Sequence, residues 1–68
     1  MFISDLLLGW LHEDGYSLGE SGWVNPLTGK RWRQVEATKD GHQHFVRAPN
    51  REQAIVNLGL LVGYPLDE

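Results

Sequence analysis

The 68-residue chain contains no cysteine, which excludes disulfides and, with them, thiolate zinc sites. No apolar run approaches the roughly 18 residues that a membrane helix needs. The Leu6-Leu7-Leu8 cluster follows Asp5 rather than a basic segment of the secretory kind. A cytoplasmic location and no membrane partner are therefore expected. No glycine-rich phosphate loop precedes a helix, and no carboxylate pair falls in an identifiable cleft. Ser4, Ser17 and Ser21 sit where caps and turns account for them. Catalysis, a cofactor and a small-molecule substrate are not expected.

Basic side chains are missing from residues 1–22, which carry Asp5, Glu13, Asp14 and Glu20. All six occur between Lys30 and Arg51, within a chain whose net charge is −3 and whose pI is near 5.5. Such segregation makes a local positive field on an acidic protein, or lets the two zones neutralise each other across the fold.

What is present is a globular composition: 41% hydrophobic residues, three tryptophans and 22% charged residues argue for a packed core rather than a disordered tail. A domain this short hides only about 60% of the surface its unfolded chain exposes, so any site is shallow and self-association is a natural support.

Ile3, Leu6, Leu7, Trp10 and Leu11 recur at helical spacing and predict one apolar stripe on a helix over about 5–14, with Ser4 as N-cap and Gly15 closing the end. After a Gly- and Ser-rich stretch, Gly22 to Asn25 reads as a short first strand, with a further extended piece around Tyr16 and Leu18. Asn25-Pro26 and Thr28-Gly29 are turn material. A second strand is expected over about 30–38, then a two-residue turn at Asp40-Gly41 and a third strand to about Ala48.

Asn50 reads as the cap of a second helix, with Gln53 completing a capping box. Ala54, Ile55, Leu58, Leu61 and Val62 form its expected core stripe. Gly63 stops it, Tyr64 folds back on Leu58, and Pro65 prevents continuation.

The fold class that follows is α+β: one small domain over residues 1–68, in the order α-β-β-β-α, with a three-stranded antiparallel sheet and two helices. A two-residue turn pairs Lys39 with His42, Val35 with Val46 and Glu36 with Phe45. Val35, Ala37, Val46 and Ala48 then share one face, while Trp32, Gln34, Glu36, Phe45 and Arg47 share the other. Both faces carry apolar side chains, so each helix covers one face, or both cover the same face and leave the other wet.

Two sets of candidate residues follow. Lys30, Arg31, Arg33, Lys39, His42 and Arg47, with Trp32 and Phe45, form a basic and aromatic set on adjacent strands, a composition suited to phosphates and bases. The stretch HFVRAPNREQAI, strands followed by a capped helix, resembles the arm-type DNA-binding domains of tyrosine recombinases and related three-stranded sheet readers. The resemblance covers about half the chain and implies nucleic-acid binding; the basic and aromatic composition puts forward Lys30, Arg31, Trp32, Arg33, Lys39 and Arg47 for that role. The acidic leading helix and the low pI depart from that pattern.

The second set is an apolar surplus. Val56, Leu60 and Tyr64 fall at i, i+4 and i+8 beside the core stripe of the second helix, and Leu8 lies off the stripe of the first. His42 and His44 project from one strand face about 7 Å apart, but no third ligand accompanies them and no metal is expected. The leading functional expectation is a non-enzymatic interaction or regulatory module that binds protein, with a homodimer through Val56, Leu60 and Tyr64 as one form. Nucleic-acid binding is the alternative.

Overall fold

The computed structural model describes residues 3–64. Its elements are α1 (Ile3–Glu13), β1 (Ser17–Val24), β2 (Arg31–Lys39), β3 (His42–Ala48) and α2 (Arg51–Leu61). The strands form an antiparallel sheet in the order β1-β2-β3, so each pairs with its chain neighbour and β2 is central. The expected order and sheet are thus observed.

The β2–β3 register follows the turn. Asp40 and Gly41 both adopt positive φ, 53° and 80°, the conformation of a two-residue hairpin whose twist matches the strands. Lys39 therefore faces His42, Val35 faces Val46 and Glu36 faces Phe45.

Both helices lie on one side of the sheet, the second of the two expected arrangements. Leu7 and Leu11 of α1 and Ala54, Ile55 and Leu58 of α2 bury against Val35, Ala37 and Ala48, the side chains of a single sheet face. Covering that face from one side needs both helices, because α2 packs over β2 and β3 while α1 packs beside α2 and next to β1. The helices run in the same direction, each antiparallel to the strand beside it.

The two helix ends are built alike. Gly15 and Gly63 take φ of 92° and 98°. In each case the glycine N–H and the following tyrosine N–H reach back to the last turn, Gly15 to His12 and Tyr16 to Leu11, Gly63 to Leu60 and Tyr64 to Gly59. This double bond pattern is the Schellman closure, and it turns Tyr16 and Tyr64 inward against the core. Tyr64 meets Trp10 edge to face, with ring centroids 5.6 Å apart, and donates its phenol proton to Asp14 rather than folding onto Leu58 alone.

Several local expectations are corrected. Helix α1 already includes Ser4, which is buried inside its first turn and is not the cap. Its apolar stripe is rotated: Leu7 and Leu11 are buried and Leu8 packs on the core, while Ile3, Leu6 and Trp10 are largely exposed. In α2, Leu61 is exposed and Gly59 takes the buried position. Asn50 accepts from the Gln53 amide at 2.9 Å as expected, but the Gln53 side chain bonds Asn57 instead of returning to Asn50, so the box is half formed. Strand β1 is twice as long as expected because β2 pairs it continuously from Ser17↔Thr38 to Val24↔Arg31. Pro65 lies outside the described residues.

Candidate functional site: the open face of the sheet

With both helices on one side, the other face of the sheet carries Trp23 on β1, Trp32, Gln34 and Glu36 on β2, and Gln43, Phe45 and Arg47 on β3. Parity puts them there: Trp23 pairs with Trp32, Gln34 with Arg47 and Glu36 with Phe45. The β1 partners of Gln34 and Glu36 are Ser21 and Gly19. These small residues leave the β2 side chains room.

Arg47 organises the face. Its guanidinium carbon lies 4.3 Å from the Trp23 ring centroid and 5.2 Å from that of Phe45, and its Nε donates to Gln34 Oε1 at 2.8 Å. To reach Trp23 from β3 it lies across the central strand. The bonding continues in one direction: Gln34 Nε2 donates to Glu36 Oε1 at 3.1 Å and Gln43 Nε2 donates to Glu36 Oε2 at 2.8 Å. Trp23 and Trp32 close the far end edge to face, 6.0 Å apart. Long side chains that normally lose rotamer freedom on binding are thereby held in place beforehand. One cation and one carboxylate leave the face close to neutral.

The basic set of the sequence is not gathered on this face. Arg31, Arg33 and Lys39 alternate with Trp32 on β2 and so belong to the helix side of the sheet. Lys39 sits over the Tyr16 ring, 5.4 Å from its centroid, next to the Tyr16–His44 contact. Arg33 lies 3.8 Å from Glu20. That carboxylate accepts two bonds from Arg51, at 2.8 and 3.1 Å, and Arg51 holds its pKa below the ordinary glutamate value. Lys30 and Arg31 stand at the loop end of the β1–β2 hairpin. Arg47 alone of the cations joins Trp32 and Phe45.

The row on α2 is divided as well. Val56 and Tyr64 are partly buried and pack on the core, whereas Leu60, one turn beyond Val56, is 52% exposed. Leu61 is exposed beside it.

Trp23 is the member of the open face whose side the spacing of a four-residue strand does not decide. Its partnership with Trp32 needs the β1–β2 register, which a six-residue connection from Asn25 to Lys30 sets. The available signal was the equal distance of Trp23 and Trp32 from the centre of that connection.

Comparison with protein-family models, with curated proteins and with solved structures gives no match for this chain.

Proposed function

We propose that this chain is a non-enzymatic protein-interaction module whose contact surface is the open face of the sheet. The observation that carries the reading is Arg47, fixed between Trp23 and Phe45 and bonded to Gln34 on a face that no element among the described residues covers. Tryptophan and arginine are the residue types that most often dominate binding energy in protein interfaces. Here they are already ordered together, Arg47 exposed and Trp23 and Trp32 half-buried.

Size narrows the partner. Three strands about 4.8 Å apart and about eight residues long at 3.3 Å each span roughly 380 Å². A standard interface takes about 800 Å² from each side. The face is therefore suited to one segment of a partner, a helix or an extended peptide, rather than to a whole domain. A homodimer through Val56, Leu60 and Tyr64 has less support, because two of the three side chains are already engaged in the core. Nucleic-acid binding by the open face is disfavoured by its near neutrality, since phosphate contacts supply most of that affinity.

Selection of displayed random peptides on the wild-type chain tests this reading. Enriched peptides are expected to lose at least about 30-fold in affinity for a Phe45→Ser, Arg47→Ala double variant, the size of a hot-spot loss. They should bind Leu60→Ser within a factor of about two, because that residue lies on the helix side. No enrichment, or enriched peptides indifferent to the double variant, would reject the open face as the site.

A further inference from the structure

The β1–β2 hairpin ends in a loop, Asn25 to Lys30, whose form is fixed by its own bonds. Asn25 N–H donates to the Lys30 carbonyl at 2.9 Å, and Gly29 N–H, at φ 72°, donates to the Asn25 carbonyl at 2.7 Å. Asn25 Oδ1 accepts from Leu27 N–H and Thr28 Oγ1 accepts from Lys30 N–H. This small, closed turn presents Leu27 at 92% exposure, and Val24 beside it is 55% exposed. An isolated exposed leucine is ordinary. A leucine held outward at the apex of a rigid turn, with a second apolar side chain behind it, forms an apolar tip.

The tip segment itself carries charge of one sign. From Ser21 to Val35 the chain carries Lys30, Arg31 and Arg33 and no carboxylate. Among the described residues neither Lys30 nor Arg31 is in a salt bridge. Behind the apex an open cleft of about 410 Å³ is lined by Gly22, Trp23, Val24, Arg31, Trp32 and Arg33, an apolar lining with two guanidinium groups. Glu13, Asp14 and Asp40 lie at the other end of the sheet, where α1 leads into β1 and β2 turns into β3, while Asp5, Glu20 and Glu52 surround Arg51 nearer the tip and Glu20 also meets Arg33. Lys30 and Arg31 are therefore the cations that a negative surface meets first at this end.

We propose that the β1–β2 hairpin tip seats on an anionic phospholipid surface. Leu27 and Val24 enter the boundary between headgroups and acyl chains, Lys30 and Arg31 face the lipid phosphates, and the cleft between Arg31 and Arg33 receives one headgroup. Trp23 and Trp32 then stand at the level where amphipathic rings settle in a bilayer. Duplex nucleic acid matches the cations but gives no comparable use to Leu27. This site adjoins the open face through Trp23 and Trp32, whereas Leu27, Lys30 and Arg31 lie outside that face, so substitutions at these three probe the tip alone.

The full chain is co-sedimented with vesicles of phosphatidylcholine alone and of phosphatidylcholine mixed with phosphatidylserine. Binding is expected only to the mixed vesicles and weakens with added salt. Leu27→Ser should reduce it by about tenfold or more, the consequence of losing one buried leucine side chain. Lys30→Gln with Arg31→Gln should reduce it by at least about tenfold, two cations' worth of attraction to anionic lipid. Both variants are expected to keep the wild-type circular dichroism spectrum, since neither alters a core contact. A Trp10→Phe chain, whose remaining tryptophans are Trp23 and Trp32, should be quenched by brominated lipid and gives a second reading that needs no tip substitution. The proposal is overturned by no binding to the mixed vesicles, by Leu27→Ser binding as wild type, by absence of quenching in the Trp10→Phe chain, or by tip-dependent binding to duplex DNA with none to vesicles.

Discussion

The two faces of one sheet show how differently the same strands are used. On the helix side, Val35, Ala37 and Ala48 are wholly buried under Leu7, Leu11, Ile55 and Leu58. On the open side, Trp23, Trp32, Phe45 and Arg47 hold one another through ring and hydrogen-bond contacts while facing water. The covered face uses small and branched apolar residues that fit closely. The open face uses large amphipathic ones that order themselves without a cover. Stability is therefore expected to rest on the first face and, in the proposed reading, recognition on the second, and substitutions separate the two.

The largest effect is expected on the covered face. Leu58→Ala removes a fully buried side chain from a small core and should cost about 2–5 kcal/mol, read from urea unfolding. A loss below ~1 kcal/mol would mean that the core lies elsewhere. Asn50→Ala comes next: it removes the acceptor for the Gln53 amide and should cost about 1 kcal/mol, lowering the melting temperature by roughly 4–8 °C.

Phe45→Thr on the open face should change stability by no more than about 0.5 kcal/mol, since the ring is 51% exposed and threonine suits a strand. The same substitution should remove peptide binding. A large loss of stability would erase the distinction between the faces.

The smallest effects are electrostatic. Burial, with Asp14 as a second cause, pushes the Tyr64 phenol up to about 12. A group raised on folding contributes stability that is complete below its unfolded value near 10 and lost as pH rises towards 12. Melting temperature should fall across that window, and Tyr64→Phe should remove this part of the fall. For Glu20, whose pKa is lowered chiefly by the Arg51 bond, the contribution is present above its unfolded value and lost as pH falls through the folded one. The pair is partly exposed, so Glu20→Gln should cost only a few tenths of a kcal/mol at neutral pH.

The parts of the fold legible in the sequence are those that local chemistry decides. Asp40-Gly41 specifies a turn with two positive φ angles, and that turn alone fixes which of Val35, Glu36, Phe45 and Val46 share a face. Asn50, Gly15 and Gly63 mark helix ends for reasons contained within a few residues. The rest needed tertiary information. Ile3, Leu6, Leu7, Leu8, Trp10 and Leu11 are apolar around so much of α1 that spacing admits several stripes; the position of α2 selects Leu7 and Leu11. Ser17, Gly19, Ser21 and Gly22 have little strand preference of their own, and β1 extends through them because β2 supplies a complete ladder. The open face was half visible: Trp32, Gln34, Glu36, Phe45 and Arg47 follow from one turn, while Trp23 and the uncovered state of the face depend on where β1 and α1 settle.

The neighbour-to-neighbour strand order also has a kinetic consequence. β1, β2, β3 and α2 each pack on the element next to them in the chain, so most of the structure closes through short loops. Joining α1 to α2 is different, because the Asp14–Tyr64 bond spans 50 residues. Folding speed in small domains follows the sequence separation of contacts. Such a chain is expected to form its meander and second helix quickly and to dock α1 late, so substitutions at Trp10 or Leu11 should speed unfolding far more than they slow folding.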